Sequence, residues 1–151
     1  MHKLICAIFF CALIGNAGGT NLSIDRLASC SNGTNPEFAV DGKRDGWFWE
    51  ASLTPSPCWL EIDLGQEREV DEINLFMWWG DKRYYQYIIE ISSDRNSWQE
   101  IIDERKNTLS SDAEGRKYKI SPRKARFVRL TVTNNNINQG AHVREIEIYG
   151  K

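Results

Sequence analysis

The feature that most constrains the fold is an alternation of apolar and polar residues with a period of two. It recurs in residues 60–64, 73–77, 87–91, 128–132 and 146–148. Successive side chains of a strand point to opposite faces, so this alternation predicts half-buried β-strands. Turn-forming residues such as Asp41-Gly42, Gly80-Asp81 and Pro122 separate these segments. The pattern therefore predicts an all-β, antiparallel sandwich or barrel, and the one helical candidate, residues 101–106, is short.

The first seventeen residues have the order of a secretory signal peptide. Met1–Lys3 is positively charged, Leu4–Ile14 is an unbroken apolar run, and Gly15–Ala17 supplies small residues. The run is too short to cross a bilayer, which favours a cleaved signal over a membrane anchor. We therefore expect residues 18–151 to form one exported domain, which is extracellular or, in a bacterium, periplasmic.

Charge and cysteine content narrow the classes of function further. The formal net charge is −2, with both signs spread along the chain and no basic block, so we do not expect a nucleic-acid partner. Cys30 and Cys58 are the two cysteines outside the predicted signal. In an oxidising compartment such a pair indicates a disulfide, and the alternative is a pair of buried free thiols.

Six motifs, in order along the chain, resemble one known family. They are Ala39–Gly42 after Pro36, Trp59–Gly65, Arg83–Tyr87, Ile89–Asp94 followed by Trp98, Ala125–Leu130, and Glu145–Gly150. Together they resemble the coagulation-factor type C, or discoidin, domain, a group that includes family 32 carbohydrate-binding modules and fucolectins. The resemblance implies an eight-stranded antiparallel jelly-roll sandwich, whose loops at one end bind sugars, phospholipid head groups or proteins. It also implies core positions for Trp59 and Trp98.

The resemblance further implies a structural calcium ion, which prefers hard oxygen ligands and accepts backbone carbonyls. Transferred to this sequence, the ligand set of the fucolectins is Phe38, Asp41, Lys43, Ser52, Arg144 and Glu145. Asp41, Ser52 and Glu145 would bind through their side chains and the other three through backbone oxygens. The alternative is that Asp41 only caps a turn and Glu145 is an ordinary polar strand residue.

Two aromatic loops form the candidate ligand site. An aromatic ring covers the apolar face of a sugar, while charged and planar groups form hydrogen bonds with its hydroxyls. Residues 42–57 and 78–85 supply both kinds of group, and the candidate contacts are Trp47, Glu50, Trp79, Asp81, Lys82 and Arg83. Arg83 has a structural alternative, because Arg83–Tyr85 is a family motif that braces the start of a strand. We expect His142 to be structural. Pro55 stands where the fucolectins have a sugar-binding histidine, so the resemblance does not extend to fucose specificity.

These features favour a secreted, non-catalytic module that binds glycans. A glycoside-active enzyme is a less favoured alternative, because Glu and Asp residues alternate along strand faces instead of pairing in an apolar pocket. An adhesion module for a cell-surface protein or a phospholipid is the other alternative, although Asp45 and Glu50 beside Trp47 oppose an anionic membrane. Because single sugar sites are weak, a homo-oligomer is one predicted route to avidity.

Overall fold

The computed structural model describes residues 19–151, so the predicted signal peptide, residues 1–17, lies outside the described residues. The strands are β1 Thr20–Asn21, β2 Leu27–Cys30, β3 Trp49–Ser52, β4 Cys58–Met77, β5 Tyr85–Ser92, β6 Gln99–Asp103, β7 Arg116–Asn135 and β8 Gly140–Gly150. A short 3-10 helix, Pro36–Val40, precedes the first aromatic loop. The helical candidate at residues 101–106 is wrong, since its first half lies in β6 and its second half forms the turn that follows. Within residues 19–151 no helix has the length and hydropathy of a membrane span.

Two long strands, β4 and β7, take part in both layers of a sandwich. The first part of β4 pairs with β2 and with the last part of β7, where Cys58 is opposite Val132. The second part of β4 pairs with β8 and the first part of β7, where Val70 is opposite Gly150. Sheet one has the order β2-β4-β7-β5-β6, and sheet two has the order β7-β4-β8, with β1 and β3 on the far side of β8. The predicted all-β, antiparallel, eight-stranded jelly-roll sandwich is confirmed.

The core lies between the two sheets and follows the predicted alternation. Its residues come from one face of every long strand, and among the fully buried ones are Leu60, Ile62, Ile73, Leu75, Ile89, Leu130, Ile146 and Ile148. A bend joins the two parts of β4. Gly65, at φ +84°, adopts there a left-handed conformation that a side chain would strain. The register of β4 against β7 also shifts between Asp63 and Arg68, which lets one strand serve both sheets.

Trp59 and Trp98 lie outside this core, contrary to the expectation from the resemblance. Trp59 alternates with the buried Cys58 and Leu60, so its side chain is on the outer face of sheet one. The guanidinium carbon of Arg129 lies 5.2 Å from the Trp59 ring centroid and 3.7 Å from that of Trp98. Both tryptophans are half-buried by this stacking and not by the sandwich interior.

Cys30 and Cys58 are free thiols in the structure. The structure therefore shows the second of the two possibilities, free thiols, and not the predicted disulfide. Cys30 is opposite Leu60 in the β2-β4 pair, and Cys58 is two residues before Leu60 on the same face. Such diagonal neighbours lie roughly 7 Å apart. Burial raises the pKa of the Cys58 thiol to about 12, so Cys58 is protonated at neutral pH.

Five loops gather at one end of the sandwich, which we call the loop end. They are residues 31–35, 41–48, 53–57, 78–84 and 136–139. Tyr85 begins β5 in sheet one, yet its hydroxyl lies 3.0 Å from Nδ1 of His142 in sheet two. The Trp78 amide donates to the His142 carbonyl at 2.9 Å, and Asn32 is bonded to the backbone of Ser52. The two aromatic loops singled out by the sequence therefore lie at the same end.

Candidate functional site

The loop of residues 41–48 presents one tryptophan to solvent and buries the next. Trp47 is 75% exposed, whereas Trp49, the first residue of β3, is fully buried. Between them, Phe48 packs edge-on against His142, with ring centroids 5.6 Å apart. Arg144 fixes the position of the loop, because its guanidinium donates to the Gly46 carbonyl at 2.8 Å. Trp47 therefore projects from an anchored loop.

The loop of residues 78–84 also has one tryptophan that is partly buried and one that is exposed. Trp78 is half-buried beneath Arg83, whose guanidinium carbon lies 4.5 Å from the Trp78 ring centroid. Trp79 is 36% exposed, and the Arg144 guanidinium lies 5.7 Å from its ring centroid. Arg144 thus contacts both aromatic loops. Its Nε atom is buried and has no acceptor.

Arg83 does not face solvent, so its predicted role as a ligand contact is wrong and its structural alternative is the one observed. The residue is 6% exposed. Its guanidinium donates to both carboxylate oxygens of Asp81, at 2.6 to 3.2 Å, and lies 3.2 Å from Nδ1 of His142. The hydrogen bonds from Arg83 hold the pKa of Asp81 below its ordinary value. Asp81 is exposed but already paired, while the exposed Lys82 side chain forms no ion pair within the described chain.

His142 is the buried centre of this region, as the sequence led us to expect of a structural residue. Its Nδ1 accepts from Arg83 and lies against the Tyr85 hydroxyl, so the ring proton is on Nε2, which faces Glu50 Oε1 at 3.7 Å. Burial, followed by the charge of Arg83, lowers the pKa of His142 from its ordinary value of 6.5. His142 is therefore neutral at pH 7, and Glu50 keeps a mostly exposed carboxylate.

A groove of about 780 Å³ runs along the β3-β8 pair at the loop end, and we call it the loop-end groove. It is lined by Asn32, Gly33, Thr34, Glu50, Ala51, Ser52, Thr54, Pro55, Asn138, Gln139, Gly140 and His142. Hydroxyl, amide and carboxylate groups dominate this lining, which suits a ligand with many hydroxyls. The sequence analysis did not identify Asn32, Asn138 or Gln139. The cluster of amide residues just before His142 was the available signal.

The predicted calcium ligands are only partly brought together. Glu145 is fully buried, and both of its carboxylate oxygens lie 3.2 Å from the Gly42 amide, next to Asp41. Burial raises the pKa of Glu145 to about 8, and the negative charges of Asp41 and Glu147 act in the same direction. No lysine or arginine nitrogen of the described chain lies within 4.0 Å of the Glu145 carboxylate. A buried carboxylate that lacks a cationic partner fits a site for a cation.

Ser52 is wrong as a ligand of that ion. It is opposite Gly140 in the β3-β8 pair, five residues along β8 from Glu145. At about 3.4 Å per residue this separates Ser52 from Glu145 by roughly 17 Å along the strand. The Ser52 hydroxyl instead donates to the Thr54 carbonyl. The described residues contain no group of three or more His, Cys, Asp or Glu side chains that could hold a metal, so backbone oxygens such as those of Phe38, Lys43 and Arg144 would have to complete the shell.

Known proteins that resemble this chain in sequence or structure belong to one family of β-sandwich domains or contain such a domain. A model of the F5/8 type C domain family matches residues 25–146. BTB/POZ domain-containing protein 9 of Drosophila melanogaster is 30% identical over 130 residues, which is 80% of this chain and 17% of that protein. The chain spans 14 to 17% of the length of the curated relatives that it matches.

Two solved structures illustrate the structural likeness. Chitosan-binding module 1 from a chitosanase/glucanase of Paenibacillus sp. IK-5 has a TM-score of 0.73 and 23% identity, over 87% of this chain and 99% of that one. A family 89 glycoside hydrolase from Clostridium perfringens has a TM-score of 0.75 and 26% identity, over 88% of this chain and 15% of that one. The likeness in both cases extends over nearly all the described residues.

Proposed function

Because the chain belongs to the F5/8 type C domain family, we propose that it is a non-catalytic module that binds carbohydrate at its loop end. The observation that carries the proposal is the pair of exposed tryptophans, Trp47 and Trp79, on two loops that Arg144 joins. A flat indole ring covers the apolar face of a sugar ring at little cost in conformational entropy. The likeness to a chitosan-binding module supports the same class of ligand.

The polar part of the proposed site is supplied by Glu50, while Arg144 holds the two tryptophan loops. Glu50 lines the loop-end groove with an exposed carboxylate, which would accept hydrogen bonds from sugar hydroxyls. The buried Nε of Arg144 lies between the tryptophan loops without an acceptor. Arg83 and Asp81 hold the second loop in place and leave ligand contact to Trp79 and Lys82.

The carboxylates of the loop end favour binding over hydrolysis. A glycosidase requires two carboxyl groups that flank one bond, one of them kept protonated by an apolar environment. Asp81 is paired with Arg83, and its lowered pKa keeps it ionised. Glu145 has the raised pKa but is fully buried. These two features support a module that holds a glycan without cleaving it.

We further propose that a structural calcium ion, bound by Asp41 and Glu145 and by backbone oxygens, holds the loop of residues 41–48 in place. The ion would supply the positive charge that the buried Glu145 carboxylate lacks. An ion present at about 100 times its Kd adds roughly 2.7 kcal/mol to stability. Thermal unfolding with calcium and with a chelator tests this. Glu145→Gln should abolish the calcium-dependent rise in Tm, whereas Ser52→Ala should retain it.

A glycan array probed with the wild-type chain, Trp79→Ala and Leu27→Ala tests the proposed function. Leu27 is 68% exposed and lies in β2, opposite Asp63 and away from the loop end, so its variant is the matched control. We expect Trp79→Ala to lose about tenfold in affinity, which corresponds to roughly 1.4 kcal/mol, and Leu27→Ala to behave like wild type. Binding to liposomes or to a protein but to no glycan would contradict the proposal.

A further inference from the structure

A second groove lies on the outer face of sheet two, far from the loop end. It has a volume of about 800 Å³, and its lining includes Asp71, Glu72, Asn74, Lys119, Tyr149 and Lys151. Tyr149 is seven residues along β8 from His142, which is roughly 24 Å at about 3.4 Å per residue. We call it the sheet-two groove. Its volume falls in the range of ordinary small-ligand sites.

The charged groups of the sheet-two groove do not form ion pairs with one another. Asp71 and Glu72 are carboxylates, and Lys119 and Lys151 carry ammonium groups, yet no pair of them lies within 4.0 Å in the described chain. Ion pairs do form elsewhere on the same sheet, for example between Arg44 and Glu147. Hydrogen-bond donors and acceptors are therefore both free in one concave surface.

Asn74 provides the strongest sign that the groove has an occupant. The residue is 5% exposed, and its amide nitrogen donates to carboxylate oxygens of Glu72 at 3.1 Å and Glu147 at 3.4 Å. This fixes the orientation of the amide, because the reverse orientation would place its oxygen against two carboxylates. The oxygen Oδ1 is then buried without a donor. An unsatisfied buried carbonyl costs about 1 to 3 kcal/mol unless a ligand or a water supplies the donor.

We propose that the sheet-two groove is a second carbohydrate-binding site. A sugar hydroxyl is both a donor and an acceptor, so a single ligand can donate to Asp71 and Glu72 and accept from Lys119, beside the buried Oδ1 of Asn74. The half-buried ring of Tyr149 offers an aromatic surface beside these groups. The ligand class rests on the proposed function, but the site shares no residue with the loop end.

Two sites on one chain change how the module would hold a repetitive glycan. A single weak site releases its ligand readily, whereas a second site on the same chain rebinds at a high effective concentration. Since the sites lie at opposite ends of β8, one chain can bridge two strands of a polysaccharide. Avidity then arises within one chain and does not require the homo-oligomer predicted from the sequence.

Titration of the isotope-labelled full chain by NMR tests the inference. The probes are galactose, N-acetylglucosamine trimer and trigalacturonate, each added separately. We expect at least one probe to shift two groups of signals. One group contains the Trp79 indole and Glu50, and the other contains Tyr149 and the side-chain amide of Asn74.

Variants assign each group of signals to its site. Lys119→Ala should weaken binding in the sheet-two groove about tenfold and leave the loop end unchanged. Lys117→Ala is the matched control, since Lys117 is exposed on the same strand and does not line the groove. Trp79→Ala should affect only the loop-end signals.

The outcomes separate this inference from the proposed function. Shifts at the loop end without shifts in the sheet-two groove overturn the second site and leave the first. Shifts in the groove alone support the second site and contradict the loop-end site. If none of the three probes shifts the groove signals, or if Lys117→Ala and Lys119→Ala weaken binding equally, the second site is refuted.

Discussion

Replacing Arg83 with methionine tests whether this residue supports the loop end or contacts the ligand. The substitution keeps an unbranched side chain but removes the hydrogen bonds to Asp81, the contact with His142 and the stacking on Trp78. An exposed ion pair contributes about 0 to 1 kcal/mol, and breaking a buried one costs about 3 to 5 kcal/mol. The Arg83 side chain is 8% exposed and that of Asp81 is 36% exposed, which places this pair between the two cases.

We therefore expect Arg83→Met to lower the free energy of unfolding by about 2 kcal/mol, including the lost stacking on Trp78. For a domain of this size the loss corresponds to a decrease in Tm of roughly 6 to 8 °C. Urea denaturation followed by tryptophan fluorescence measures the loss. Lys82→Met is the matched control, because it removes the neighbouring exposed cation and should change stability by less than about 0.5 kcal/mol.

Binding measurements on the same variants complete the test. Trp79→Ala should reduce glycan affinity with little change in stability, whereas Arg83→Met should reduce stability first and affinity only as the loop of residues 78–84 loosens. If Arg83→Met unfolds like wild type but loses affinity as strongly as Trp79→Ala, the residue contacts the ligand. The reasoning from its burial would then be refuted.

Three further predictions concern charge, thiols and metal. The hydrogen bond from Arg126 lowers the pKa of Asp63 below its ordinary 3.8, so its stabilising contribution is complete above that pH and disappears as the pH falls through the lowered value. Asp63→Asn should be less stable than wild type at pH 7, and the difference should vanish in acid unfolding curves; a constant difference would contradict this. Alkylation of the native, reduced chain should label Cys30 well before the fully buried Cys58, and equal rates by mass spectrometry would count against the β2-β4 packing. Calcium should raise the Tm of the wild type and not of Glu145→Gln, and an equal rise in both would place the ion elsewhere.

The strands were predictable because burial between two sheets imposes a period of two on every long strand. Leu60, Ile62, Ile146 and Ile148 alternate in the sequence and all lie in the core. The wrong core position of Trp59 came from the resemblance, because the alternation itself places Trp59 on the face opposite to Leu60 and Ile62. Arg129 stacks on the Trp59 ring on the outer face of sheet one and leaves it half-buried, whereas the core residues are fully buried.

The site was predictable as two loops but not as a set of contacts. Trp47 and Trp79 stood out because exposed aromatic residues in loops need a reason to be there. Arg83 and Asp81 have the side chains of ligand-binding residues in the sequence. Only the folded loop shows that they form an ion pair with each other. The Ser52 assignment relied on spacing transferred from the fucolectins. The register of β3 against β8 moves that residue far from Glu145.

The sheet-two groove had no signal in the sequence. Its residues come from distant segments and lie in strands whose alternation already had an explanation. Asn74 in particular fits an ordinary outward position between Ile73 and Leu75. Its unsatisfied oxygen becomes visible only when the neighbouring carboxylates of Glu72 and Glu147 fix the orientation of its amide.

Isothermal titration calorimetry with the glycan that binds most strongly on the array tests the role of the loop-end tryptophans most directly. We expect Trp47→Ala and Trp79→Ala each to weaken the loop-end association about tenfold, while Leu27→Ala binds like the wild-type chain. Unchanged affinity in both tryptophan variants, at unchanged Tm, would show that the exposed rim of the loop end is not where this chain binds its ligand.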